Sequence, residues 1–268
     1  MGGALRAGSI LLCLLSVAGC GKLKLPAHTA WVHWTFPEAA DELLVDVTIH
    51  DDPGDEVGLY FVPYAADIDG TGFYYGIQTD MYRPDVGDVG KGVIFSRWET
   101  RALEDLRIAD GGYHQSAGYE GDFVGVRQFL DWSPGAYMLR LRRTEADGAA
   151  DWFELTVTEA STYRETPVGA LRFPRADPDV PARISAQGMA FTEVYGNARR
   201  PKDVPGWHVD LMPHLGGQAP LEACSEYPAF PYAEFEAADV WWEPERQRAH
   251  MAFGVGVERR HEPATLFP

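Results

Sequence analysis

Tyr74 and Gln78 stand four residues apart in F-Y-Y-G-I-Q, inside a strand-like segment at 72–78. A regular strand turns positions i and i+4 to the same face. Trp98 ends a second strand-like segment, 92–98, beside Arg97, and Glu120 follows in a Y-E-G loop. Aromatic rings stack on the apolar faces of sugar rings, while amide, carboxylate and guanidinium groups bind hydroxyls. Tyr74, Gln78, Trp98 and Glu120 therefore form a candidate glycan-binding set. Arg97 and Trp98 are adjacent and project to opposite faces, so only one of them joins it. Trp98 is preferred for its stacking area. The competing reading places the aromatics in a core, as is usual on strands. Gln78 and Glu120 fit a core less easily, because buried polar groups need partners.

Other chemistries find less support. A glycosidase needs two carboxylates flanking the bond. The nearest carboxylate run, E-F-E at 234–236, lacks the E-x-D-x-x-E spacing of jelly-roll glycosidases. A polysaccharide lyase would use Arg, a neutral Gln or Asn, and Tyr or His. Arg97, Arg101, Gln78 and His114 supply those types, though not in the order of known lyases. Asp67, Asp69, Asp85 and Asp88 lie in two loops flanking one strand, and oxygen-rich loops can hold calcium. Ordinary Asp-Gly turns explain them as well. No metal site is expected, since His208 and His214 lack a companion at ligand spacing along the chain. Calcium is the alternative to having no cofactor. Cys224 is the lone Cys after residue 20, and a buried bystander explains it better than a nucleophile.

The formal charge is −17 over 268 residues. Nucleic acid is excluded as a partner, because binding it requires basic surface to displace counterions. Without paired Cys the fold must rest on its core. That core is to be built by strands. Leu43, Val45, Val47 and Ile49 alternate with Leu44, Asp46, Thr48 and His50, which is period two. Further strands are expected at 57–64, 72–78, 92–98, 122–130, 136–143, 151–158, 189–195, 207–212 and 250–258, separated by turns such as D-D-P-G-D, D-I-D-G-T-G and E-A-D-G. A short helical pattern at 100–109 is the exception. This spacing predicts an all-β chain, a β-sandwich of jelly-roll type.

Two resemblances add to this reading. Arg6 precedes an apolar stretch at 9–17 that is too short to span a bilayer, and V-A-G-C follows at 17–20. The leader from Met1 through Val17 to Cys20 resembles the signal and lipobox of bacterial lipoproteins. That resemblance implies removal of 1–19, lipidation of Cys20, and a lipidated tether at 20–28. Gly21 in place of Asp implies an outer membrane or cell-surface location, with the membrane as partner. The block 72–172 resembles a family of secreted bacterial domains of unknown function. It shares F-Y-Y-G-I-Q at 73–78, V-I-F-S-R-W at 93–98, Y-E-G at 119–121 and S-P-G-A-Y at 133–137. Gly121, Asp122 and Phe123 depart from the Gly- and Ser-rich run expected there. This resemblance implies a concanavalin-like jelly-roll sandwich. The expected sandwich domain covers 29–262, with a second β subdomain from about 182 as the alternative, and 263–268 as a tail. The expected function is a surface-anchored carbohydrate-binding module. The alternatives are a polysaccharide lyase or hydrolase with an atypical site, or an adhesive, protein-binding lipoprotein.

Overall fold

The computed structural model describes residues 25–119, 121–196, 200–228 and 237–267. Two large antiparallel sheets face each other. The first runs, edge to edge, β17 (Thr265–Phe267), β14 (Glu222–Glu226), β1 (Ala27–Thr35), β12 (Gln187–Tyr195), β3 (Gly58–Ile68), β4 (Thr71–Arg83), β5 (Gly87–Trp98), β8 (Phe123–Phe129), β7 (Tyr113–Ala117). The second runs β15 (Ala238–Glu243), β16 (Arg248–Phe253), β13 (Trp207–Leu215), β2 (Glu42–Ile49), β9 (Gly135–Asp147), β10 (Ala150–Glu159), β11 (Arg164–Pro174), β6 (Leu106–Ile108). This is the β-sandwich of jelly-roll type that the strand spacing predicts.

Alternation decides which side chains lie between the sheets. On β2, Leu43, Val45, Val47 and Ile49 are buried and the residues between them are half-buried. The facing sheet contributes Phe61, Phe73, Tyr75, Ile77, Val93 and Phe95 to the same core. Trp132 stacks on Trp207 at 5.3 Å, and Phe73 meets Phe173 edge-on at 6.1 Å. Trp34, Trp132 and Trp207 are buried in this core, which accounts for them, whereas Trp152 is buried under the Arg107 guanidinium at 3.8 Å.

Turn chemistry sets the hairpins. Asp69 and Gly70 link β3 to β4 with φ of 49° and 88°. A type I′ turn needs positive φ at both central positions, and Asp-Gly meets that need. Asp67 accepts the Gly70 N–H at 2.9 Å, and Asp69 accepts from the backbone of Ala176 and Arg183 at 3.0 and 3.1 Å. Asp85 pairs with Arg83 at 2.7 Å. Three of the four aspartates considered for calcium thus serve turns and a local ion pair.

The strands after residue 182 enter both sheets: β12 lies between β1 and β3, and β13 lies between β16 and β2. The Pro-rich stretch before them is anchored by Asp151, which holds the Arg175 guanidinium at 2.6 Å and the Ala182 N–H at 2.7 Å. The helical pattern at 100–109 instead forms one 3-10 turn (Leu103–Asp105) followed by β6. The Thr100 hydroxyl ties up the Ala102 N–H and the Asp105 carboxylate, and β6 then pairs with β11. The stretch expected as a tail contains β17, which pairs with β14.

Candidate functional site

The first sheet buries a second apolar cluster on its outer face, made of Tyr60, Val62, Met81, Ile94 and Phe191. Register places polar side chains among them in rows that cross the strands. One row runs His28, Glu193, Tyr60, Gln78 over β1, β12, β3 and β4. The next carries Ile94, Arg127 and Tyr113 over β5, β8 and β7. A third carries Ala65, Tyr74, Ser96, Gly125 and Gln115.

The predicted residues fall on this face where they are described. Tyr74 meets Trp98 with ring centroids 4.8 Å apart, and both are half-buried. Trp98 continues to Phe123 at 6.3 Å, and Phe123 to Tyr119 at 5.4 Å. Tyr119 is 68% exposed, so this line of aromatics ends in solvent. Arg97 points the other way, into the sandwich, 5.3 Å over the Phe173 ring and 3.9 Å from Asp105. Gln78 is buried and accepts a hydrogen bond from Arg127 Nη1 at 3.1 Å. Glu120, Cys20 and the E-F-E run at 234–236 lie outside the described residues. His114 is exposed on β7, one position out of step with Tyr113 and Gln115.

Sequence reasoning missed Tyr60, Arg127, Glu193, His28 and Gln115. Arg127 Nη2 donates to Gln115 Oε1, and Tyr113 packs beside the same guanidinium. Gln78, Gln115 and Tyr113, which hold it, are neutral groups. Tyr60 is 3% exposed, and its hydroxyl makes no hydrogen bond to the protein. Burial, reinforced by the neighbouring Tyr74 and opposed by Arg127, pushes its phenol well above the ordinary value, so it stays protonated. His28 lies 3.7 Å from Glu193, and burial lowers its imidazole to about 4, so it is neutral at pH 7. The face therefore offers a guanidinium, neutral phenols, two amides, an imidazole and a carboxylate beside a line of tilted and edge-on aromatic rings. Cys224 is half-buried on β14, 3.4 Å from Glu222, away from these rows.

No family model and no curated protein matches the chain. Among solved structures it is similar to scytalido-glutamic peptidase, solved with a transition-state analogue inhibitor. The identity is 6% over 85% of this chain and 98% of that one, with a TM-score of 0.42. It is also similar to the PL-14 alginate lyase from Aplysia kurodai, at 10% identity over 76% of this chain and 71% of that one, with a TM-score of 0.37. Likeness at these scores transfers no activity and no residue role to this chain.

Proposed function

We propose that the outer face of the first sheet binds a carbohydrate that carries carboxylate groups. The observation that carries this reading is Arg127, whose guanidinium is held by Gln78 and Gln115 at the foot of the aromatic line Tyr74, Trp98, Phe123 and Tyr119. Sugar rings stack on such a line, and a positioned guanidinium takes a carboxylate through paired hydrogen bonds. The net charge of −17 opposes a polyanion at long range. Salt screens that repulsion beyond about 8 Å at physiological ionic strength, whereas a desolvated contact at Arg127 is screened much less. The membrane location proposed from V-A-G-C and Cys20 would place this face at the cell surface.

The test is a polysaccharide array probed with the mature protein, comparing uronate-containing with neutral glycans and followed by calorimetry. Retention of uronate glycans that is lost in Arg127→Met supports the reading. Retention of neutral glycans alone, or binding unchanged in Arg127→Met, refutes it.

A second reading, cleavage of the bound glycan, is favoured by one observation. Glu193 and the neutral His28 sit side by side on this face, which puts two proton acceptors beside a bound glycan. Release of shorter saccharides from a bound polymer would distinguish cleavage from binding.

A further inference from the structure

The outer face of the second sheet carries a separate cluster that owes nothing to the glycan reading. His50 follows β2, His208 lies on β13 and His250 on β16, three neighbouring strands. The backbone fixes their juxtaposition, because the His50 N–H donates to the His208 carbonyl at 2.9 Å and His250 pairs with Asp210 across the β13–β16 ladder. One nitrogen from each ring lies within 4.8 Å of the others.

Two of the three rings, those of His50 and His250, have an outer carboxylate partner. Asp210 Oδ2 sits 2.8 Å from His50 Nε2, and Glu243 Oε2 sits 3.0 Å from His250 Nε2. In the tautomer that donates Nε2–H to its carboxylate, each of these two rings keeps its lone pair on Nδ1. A ligating histidine ordinarily gives its other N–H to a carboxylate in this way. Asp210 is itself buried and steadied by Arg248 at 3.0 Å. Trp241 stacks on His250 at 4.7 Å with an interplanar angle of 4°, fixing that ring. His208 Nε2 lies 3.0 Å from His250 Nδ1, so two of the three inward atoms already converge.

We propose that His50, His208 and His250 bind a divalent first-row transition metal, zinc foremost, through His50 Nδ1, His208 Nε2 and His250 Nδ1. Imidazole sets suit zinc, copper and nickel better than calcium or magnesium. Tetrahedral zinc holds its nitrogens roughly 3.3 to 3.4 Å apart, from a Zn–N length of about 2.0 to 2.1 Å. The nitrogens, within 4.8 Å of one another, must therefore close by up to about 1.5 Å, and the His50 ring, stacked on His208 at 4.1 Å and 14°, must turn out of that stack to aim its lone pair at the ion, a rotation open to a side chain that is 31% exposed. Among the described residues the group ends at three ligands. The fourth position is left to water or an exogenous ligand, as in zinc sites that keep an open position.

The test is equilibrium dialysis of the untagged, chelator-treated mature protein against zinc, with the bound metal measured directly. About one zinc per chain is expected, and cobalt in its place should give the visible absorption of a tetrahedral ion. His50→Ala and His208→Ala should each weaken zinc at least about 100-fold, and Asp210→Asn about 10- to 100-fold. His50→Ala also guards against misfolding, since its ring is the most exposed of the three; circular dichroism matching wild type shows that it has folded. Failure of the wild type to take up zinc overturns the proposal. So does zinc uptake unchanged in folded His50→Ala and His208→Ala.

Discussion

Replacing Tyr60 by Phe should separate stability from recognition. The Tyr60 ring packs edge-on against Tyr74 at 5.5 Å and against Phe191 at 6.3 Å, contacts that a Phe ring keeps. Only the hydroxyl is lost, and that hydroxyl is buried without a hydrogen bond to the protein. A buried polar group without a partner costs about 1 to 3 kcal/mol. Tyr60→Phe should therefore leave stability unchanged or raise it by up to about 2 kcal/mol, the ligand-free protein losing nothing it had used. If the hydroxyl serves a bound glycan, the same variant loses a hydrogen bond worth about 0.5 to 1.5 kcal/mol, a two- to tenfold drop in affinity. Tyr75 is the control. Its hydroxyl is also buried and unpartnered, but its ring points into the sandwich core. Tyr75→Phe should match the stability change and leave binding untouched. Guanidinium unfolding gives the first quantity and calorimetry the second. A Tyr60→Phe protein destabilised by more than about 1 kcal/mol would refute the reasoning, since the hydroxyl would then be satisfied in the folded state.

Four further outcomes are expected. Trp98→Ala should weaken glycan binding by about 0.5 to 1.5 kcal/mol beyond lost contact area, measured by calorimetry, with the fold intact by circular dichroism. His28, lowered to about 4 from 6.5, makes the unfolded chain bind more protons between those values, so its contribution to stability rises with pH across that window. The term is absent above about 6.5 and reaches up to about 3 kcal/mol of destabilisation below 4; denaturant midpoints at both ends should show a shallower slope in His28→Asn. Asp151→Asn should lower the thermal unfolding midpoint, because the buried carboxylate that holds the Arg175 guanidinium at 2.6 and 3.1 Å and the Ala182 N–H at 2.7 Å loses its charge; an unchanged midpoint would contradict this. Cys20→Ala should abolish incorporation of labelled palmitate and leave the leader uncut; continued labelling would disprove the lipobox reading.

How much the sequence discloses depends on how many faces of a strand meet water. β2 has one buried and one half-buried face, so Leu43, Val45, Val47 and Ile49 stand out at period two. β3 is buried on both faces from Gly58 to Tyr64, and its run of apolar and aromatic residues has no such period. Tyr60 is hidden by that lack of contrast, although its neighbours Leu59 and Phe61 point inward. Tyr74 and Trp98 were legible as partners because β4 and β5 form one hairpin, whose pairing brings Phe73 opposite Arg97 and so sets Tyr74 and Trp98 on the outer face. The opposite orientation of Arg97 followed from the same alternation. The segment at 100–109 misled because its helical pattern is too short to nucleate against a waiting strand edge on β11.

The chemistry of long-range register is legible only in the folded chain. Gln78 needs Arg127, 49 positions on, and that meeting depends on β5 lying between β4 and β8. His28 and Glu193 meet only because the first and twelfth strands pair. His208 lacked a companion at ligand spacing along the chain; its companions are 42 positions downstream, at His250, and near the start of the sandwich, at His50. These separations have a common cause. A sandwich spends the inner faces of its sheets on the core, so polar chemistry is confined to the outer faces and loops. An outer face is assembled from alternate residues of every strand in the sheet, and nine of the fifteen neighbouring strand pairs among the described residues join strands that are not consecutive in sequence. Short motifs can therefore report the hairpins that make such a face, but the groups that act together on it come from across the chain. The two clusters also share no strand pairing, since one lies on each sheet. Loss of zinc binding and loss of glycan binding should accordingly be independent, each following its own set of substitutions.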